Sequence, residues 1–518
     1  MFTQDDKINC IMTKPVKKTD AKEIGTEYTL PDYLPDITRL LRVSARVENP
    51  EKYCSGDTVE YDGKLCFSVV YATSDGEIKN AMFDTDYSGT VTGQDIDDLS
   101  VVDVDTYTET VSCRLSSPRK LTVKTKVITN ISICGMQCAQ PAIGGRSTAE
   151  SAKSLQYRKQ RVEFMQEIKA QEKNTPISED IEIEPGMPQI SEIVFVTLTP
   201  EVNDVRCTDG KVNYNGAILA NIMYEAQGSE GAREYISFER EIPVSGSVDA
   251  DGAVEGASAI CDINVTNISY RPQADELGDT KTVEVDFDYS AYFRIFCKSE
   301  CEVTTDMYSL DFENSNEKET VRYRTVDASK VFNFSFNENA PYDDEEFTRV
   351  ISVQAGADVT SVEKAGTKAI VEGNISFSAI MGSEAGTYAG KNFTLPFKAE
   401  TDIGKYSELF AHTERVCVDS VSARVTDGKM FFDAEITVNL SLFGEKEVDA
   451  LKTCTVFTDR PIVCQTHANV VLYYPMRGDD LWNVAKKYNT TVEKLAALNG
   501  IGKDSLDGGV LVIPTRKR

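Results

Sequence analysis

The sequence predicts a mainly β protein: three repeated antiparallel β-sandwich-like domains, one connecting α-helix and a small carboxyl-terminal βααβ module. Three observations predict it. A glycine-centred stretch recurs as "DTVEYDGKLCFSVVYA" (57–72), "GKVNYNGAILANIMYEA" (210–226) and "GTKAIVEGNISFSAIMG" (366–382), with Gly63, Gly216 and Gly373 spaced by 153 and 157 residues. Each glycine is followed by apolar residues at alternate positions, such as Leu65, Phe67, Val69 and Tyr71, the period of a half-buried strand. From Val470 onward the apolar period changes from strand-like to helical.

Taken in order, residues 1–27 carry acids at Asp5 and Asp6 and no apolar stretch, so they are expected to form a partly disordered segment without a signal peptide. The first β domain is expected over 28–140, from "PDYLPDI" (31–37) to the β-rich run "KLTVKTKVITNISI" that starts at Lys120. "YDG" and "YNG" at the pivots read as tight turns, because Asp-Gly and Asn-Gly tolerate positive φ. A connecting helix is expected over 147–173. Ser147 and Glu150 there form a capping box, and Leu155, Val162, Met165 and Ile168 make a narrow stripe to rest on a neighbouring domain, with a partner-binding helix as the alternative. The second β domain, 183–306, has "PGMPQI" (185–190) in the place of "PDYLPDI" and the run "KTVEVDFDYSAYFRIF" from Lys281. The third, 345–455, is preceded by the diverged "PYDDEEF" (341–347) and carries "GKMFFDAEITVNLSLF" from Gly428.

The charge balance, 83 acidic against 55 basic residues for a net of −28, disfavours nucleic acid and anionic lipid as partners. It is uneven: 470–518 holds eight basic and five acidic residues, a net of +3, which leaves −31 for the remainder. No run approaches the ~20 apolar residues of a membrane span. Thirteen cysteines without framework spacing suit a reducing cytosol. Cys134 with Cys138 and Cys297 with Cys301 form two C-x-x-x-C pairs, which read as duplicated strand-end cysteines; half a metal site is the alternative, with His412 and His467 the chain's only histidines. No metal or cofactor is expected. The sequence holds no P-loop, H-E-x-x-H or G-x-S-x-G pattern, so no catalytic residues are assigned and a non-enzymatic protein is expected.

The carboxyl-terminal module is expected over 468–515. A strand "VVLYY" precedes Arg477-Gly478; Asp479 can then cap a helix with Leu481, Val484, Ala485 and Tyr488 on one face. Thr490 and Glu493 form a capping box for a second helix carrying Val492, Leu495 and Ala496, with Asn499-Gly500 as its stop and "GVLVIP" as a closing strand. This order and spacing of G-D-x-L-W, A-x-K-Y, T-x-x-x-L, L-N and L-x-I-P resembles the LysM family. The resemblance implies a ligand groove, for a partner or for N-acetylglucosamine polymers, between Met476, Arg477, Gly478, Asp479 and Asp480 on one side and Asn499, Gly500, Ile501 and Gly502 on the other. Asp480 stands where glycan-binding members carry Thr or Ser, a charge that an uncharged sugar amide does not favour. Trp482 is a candidate for stacking or anchoring, although its place among core positions on a helix favours a mainly structural role.

"PDYLPDI" followed by the V-x-Y-x-G strand pair is similar to the SPOCS domain of clostridial sporulation proteins. Three such repeats with a terminal LysM resemble the SipL-like spore coat morphogenetic family, functional counterparts of SpoVID. That resemblance implies a coat-assembly scaffold in the mother-cell cytoplasm, peripheral at the forespore surface and spore coat. It would bind the basement-layer ATPase SpoIVA through its LysM domain and contact other coat proteins, with no nucleic acid and no membrane span. Peptidoglycan binding by a cell-wall protein is the alternative.

Overall fold

The structure is a computed structural model, which describes residues 10–92, 100–144, 154–227, 233–404, 411–463, 470–476, 479–502 and 509–514. The first repeat runs through β1 (Cys10–Met12), β2 (Val16–Thr29), β3 (Arg39–Val47), β4 (Glu51–Ser55), β5 (Thr58–Ala72), β6 (Ile78–Thr92), β7 (Val101–Ser117), β8 (Lys120–Cys134), β9 (Met136–Cys138) and β10 (Ala142–Gly144). The second comprises β11 (Leu155–Glu182), β12 (Ile190–Thr208), β13 (Lys211–Gln227), β14 (Arg233–Asp249), β15 (Ser258–Ala274) and β16 (Thr280–Ser309). The third comprises β17 (Phe312–Pro341), β18 (Arg349–Ala365), β19 (Lys368–Gly382), β20 (Tyr388–Asp402), β21 (Ala411–Thr426) and β22 (Lys429–Pro461).

Each repeat is two antiparallel sheets packed face to face. One sheet runs β2-β8-β7, β11-β16-β15 or β17-β22-β21; the other runs β3-β5-β6, β12-β13-β14 or β18-β19-β20, with β4 also on β5 in the first repeat. The alternation read in the sequence is what fills the space between them. Val59, Leu65 and Phe67 of β5 meet Val123, Val127 and Ile131 of β8. Ile218 and Ile222 meet Val285 and Phe293 in the second repeat, and Ile375 and Phe377 meet Phe432 and Ile436 in the third.

The sequence reading starts each repeat one strand late. The helix expected over 147–173 is, from Leu155 on, the strand β11, paired with β16 from Leu155↔Ser309 to Glu182↔Thr282; residues 147–153 lie outside the described residues. Likewise residues 10–12 and 16–27, expected to be partly disordered, belong to β1 and β2, and β2 pairs with β8 throughout. The third repeat begins with β17, ahead of the expected start at 345. The cause is common to all three. β2, β11 and β17 are edge strands, and Lys, Glu and Gln are suited both to helices and to a solvated sheet edge. Pairing to a long apolar neighbour overrides local propensity.

The pivot glycines do not turn the chain. Gly63, Gly216 and Gly373 lie within β5, β13 and β19, and the hairpins turn at Gly56, Gly210 and Gly366, whose φ values are 62°, 74° and 64°. Gly216 is required instead by close approach: a Cβ there would meet the carbonyl oxygen of Glu201, at the bulge where β12 shifts register between Val202 and Asp204. Cys297 and Cys301 sit four residues apart on β16, roughly 13 Å at ~3.3 Å per residue, too far to ligate one ion together.

The three repeats close on one another in order. β6 packs on β12, β14 on β18, and β20 returns to β3. Residues at equivalent registers therefore converge: Leu41, Val194 and Ile351, then Val70, Met223 and Ile380, then Ile78, Tyr235 and Tyr388, form one apolar junction. Extensions of the outer sheets form a second junction, where Ile11, Phe164 and Tyr323 meet Ala139, Cys301 and Val448. At the first junction the equivalent residues Arg42, Phe195 and Ser352 differ, and they fit together. Buried Arg42 donates from Nη2 to Ser352 O and Oγ at 3.2 and 3.1 Å and to Ser378 O at 3.2 Å, and its guanidinium lies 5.5 Å from the Phe195 ring centre.

Closure leaves no room at Gly390 of β20, where a Cβ would strike the backbone carbonyl of Leu41 in β3. Gly390→Ala is expected to destabilise the ring by about 1–3 kcal/mol, read as a lowered thermal midpoint in calorimetry. A second prediction concerns pH. Burial pushes the Glu201 carboxyl up to about 7, and Asp419 of the third repeat, Glu241 and Glu239 hold it there. Below pH ~4.5 the group is protonated in both folded and unfolded chains; between there and neutrality only the unfolded chain releases its proton, so stability falls as pH rises. Glu201→Gln is expected to raise the midpoint by about 2–4 °C at pH 8 and to leave it unchanged at pH 4.

Candidate functional site

The last β strand of the third repeat gives way to the carboxyl-terminal module: β23 (Val470–Tyr473), α1 (Leu481–Lys487), α2 (Val492–Asn499) and β24 (Leu511–Pro514). Leu481, Val484, Ala485 and Leu495 pack on Leu511 and Ile513, with Val471, Tyr473 and Ile501 beside them. β23 and β24 pair antiparallel with Tyr473 opposite Leu511, so the loop leaving β23 and the loop entering β24 emerge at the same end of the sheet. These are the two loops expected to make the groove. Arg477 and Gly478, two of the expected groove residues, lie outside the described residues.

Among the described residues of these loops, Asp479, Asp480 and Asn499 are engaged in holding the fold. Asp479 Oδ2 accepts from the Met476 amide at 2.8 Å and from the Tyr473 hydroxyl at 2.7 Å, and these bonds hold its carboxyl below the usual range. Asp480, rather than Asp479, caps α1, its Oδ1 accepting from the Asn483 amide at 2.6 Å. Asn499 is consumed from both sides: its Nδ2 donates to Leu495 O and Val512 O at 2.8 Å each, and its Oδ1 accepts from Val512 N at 2.7 Å. Gly500 ends α2 at φ 63°, as its place after Asn499 suggests, while Ile501 packs into the core. The second helix is capped by Thr491, one residue after the expected Thr490, through an Oγ1 that accepts from Lys494 N at 3.2 Å. Of the expected groove side chains, Met476 projects freely, 73% exposed.

Trp482 is turned onto the β body. Its Nε1 donates to Asp306 Oδ2 at 2.7 Å, and its ring meets Tyr308 edge-on at 4.9 Å between centroids. Lys486 Nζ reaches both Asp306 oxygens at 2.7 and 2.8 Å, Arg158 pairs with Asp480 at 2.9 Å, and the buried Tyr308 hydroxyl donates to Thr490 O at 2.6 Å. Burial works to raise the Asp306 carboxyl, but the bonds from Lys486 and Trp482 outweigh it and the net shift is downward. Arg158, Asp306 and Tyr308 were not identified from sequence: they lie on β11 and β16, far along the chain, and nothing local to them marks a docking surface.

The geometry defines a closed ring of three β sandwiches bearing a docked βααβ module. Residues 36–116 and 189–273 match the family model described as SipL, SPOCS domain, and residues 477–514 match the LysM domain. The chain thus joins two regions similar to the SipL-type SPOCS domain to a carboxyl-terminal region similar to the LysM domain. The third repeat lies outside both matches, though its strand order and pairings are those of the first two. No curated protein matches the chain, and no solved structure does. SPOCS and LysM are non-catalytic binding domains. Among the described residues, no helix is long and apolar enough to cross a membrane, and no group of three or more His, Cys, Asp or Glu side chains is arranged to hold a metal ion.

Asn499 ties α2 to β24 with two hydrogen bonds to Val512 and bonds back to Leu495 within the helix. Asn499→Ala is expected to destabilise the LysM domain by about 2–3 kcal/mol. Trp482, the chain's single tryptophan, would report this as an earlier thermal transition in fluorescence than in far-ultraviolet circular dichroism.

Proposed function

We propose that this protein is a non-enzymatic scaffold of spore coat assembly, stationed in the mother-cell cytoplasm at the forespore surface. Its LysM domain is the main docking module toward a SpoIVA-type coat ATPase, and the β ring supplies further contacts to coat proteins. The observation that carries this reading is the character of the LysM surface. Among the described residues, the loop side chains of Asp479, Asp480 and Asn499 are taken up by the fold, while Leu472, Tyr474, Met476 and Leu498 are exposed at 60, 70, 73 and 50%. An apolar surface of this kind suits a protein partner better than a polysaccharide, which asks for free hydrogen-bonding groups. Several contacts on one chain then add through effective concentration.

Peptidoglycan binding is the second reading, supported by the LysM match over 477–514. Co-sedimentation separates the two. The intact protein, and a form lacking residues 470–518, are each incubated with insoluble peptidoglycan and with purified SpoIVA. The expected outcome is retention on SpoIVA that drops at least tenfold in the truncated form and in Leu472→Asp, with no sedimentation on the wall. An intact protein that sediments with the wall and ignores SpoIVA defeats the scaffold reading.

A further inference from the structure

We propose that the LysM domain is latched onto the β ring and that Asp480 and Trp482, at the start of its first helix, become fully available only when the latch opens. The latch is centred on Asp306. This one carboxylate accepts from Trp482 Nε1, from Lys486 Nζ and from Asn316 Nδ2 at 2.9 Å, so two donors come from the LysM helix and one from the adjoining strand β17. Around it, Tyr308 puts its hydroxyl on the Thr490 carbonyl and its ring against Trp482, and Arg158 holds Asp480. Tyr308 is counted in the LysM hydrophobic core itself, together with Leu481, Val484 and Leu495. The body therefore completes the small module's core as well as pairing with its charges.

Charge favours the closed form at long range. The module carries +3 and the remainder of the chain −31, so the two attract, and added salt weakens the attraction. The latch takes up the amino-terminal side of the groove: Asp480, which borders it, is paired to Arg158, and Trp482 is turned onto Asp306. A ligand that contacts these residues competes with the body for them, and by linkage a ligand so bound loosens the body's hold to the same degree. The downward shift of Asp306 means the latch is kept through the range from pH 8 to 5 and is lost only as pH falls through its folded value, below the ordinary 3.8; ionic strength is the lever near neutrality. The proposal rests on the LysM domain being a binding module but not on which ligand it takes.

Because Trp482 is the only tryptophan, its emission reads the latch directly in the full-length chain. Acrylamide quenching is expected to rise at least twofold in Asp306→Asn relative to the parent, and to rise in the parent between low and 1 M salt. Arg158→Asp is expected to open the latch partly, and Arg158→Asp with Asp480→Arg to restore it, a rescue that a merely unfolded module would not show. Equal quenching in the parent, in Asp306→Asn and in Arg158→Asp overturns the latch. The SpoIVA and wall sedimentation results bear on the ligand alone, so the two ideas fail separately.

Discussion

Three equivalent strands that meet on one axis present the same register position to each other three times over, and that constraint organises this molecule. A contact of β6 on β12, β14 on β18 and β20 on β3 is a head-to-tail interface whose rotation closes within a single chain. Apolar residues of different size meet it easily, as with Val70, Met223 and Ile380, since their volumes need only sum correctly. A charged residue cannot occupy all three positions. Arg42 is tolerated because its equivalents are a ring, Phe195, and a short hydroxyl, Ser352, which accept its face and its Nη2 hydrogens. The repeats have thus diverged where they touch, and the order of the ring is written into that divergence. Internal duplication then explains the drift of "PYDDEEF" as well: the sandwiches need only keep their sheets and their contacts, while each apical loop is free to change.

Those apical loops show what the sheets demand of sequence. In "PDYLPDI", Arg119 donates to Leu30 O, Pro31 O, Leu34 O and Asp36 Oδ1, and Tyr71 donates to Pro35 O, so the motif is a clamped turn over the end of the first sandwich. In the second repeat Tyr224, the counterpart of Tyr71, donates to Pro188 O in the same way. The proline-bearing segments "PDYLPDI" and "PGMPQI" each mark a turn held from the central strand below it.

Much of the architecture was legible in the sequence because burial on one face writes a period of two, as in Leu65, Phe67, Val69 and Tyr71. It was lost where a strand is buried on one side only and its outer side is Lys, Glu and Gln, as in β11, whose residues 159–173 are as acceptable to a helix as to a sheet edge. There the deciding partner, β16, lies more than a hundred residues away, and no local pattern contains it. The pivot glycines were visible, but their reason was not: the clash of a Cβ with Glu201 O depends on a bulge in another strand. In the LysM domain the helices, the Gly500 stop and the buried face follow from local spacing and capping. What Trp482 faces does not, since Asp306 and Tyr308 are joined to it only by the tertiary fold.

A LysM domain fixed on a body differs physically from one swinging on a tether. Orienting a free module costs rotational freedom each time a partner binds; for a partner on the exposed Leu472 and Tyr474, which the latch leaves open, the contacts of Tyr308, Asp306 and Arg158 remove that cost in advance. What it presents is then selective. The body beside the module is strongly acidic, so an anionic surface approaching Leu472 and Tyr474 is repelled by that negative field, while a basic protein surface is drawn in by it. On the scaffold reading proposed above, the acidic ring and the small basic module form one binding device: the module supplies the apolar contact, and the ring sets both how it is aimed and which surfaces can reach it.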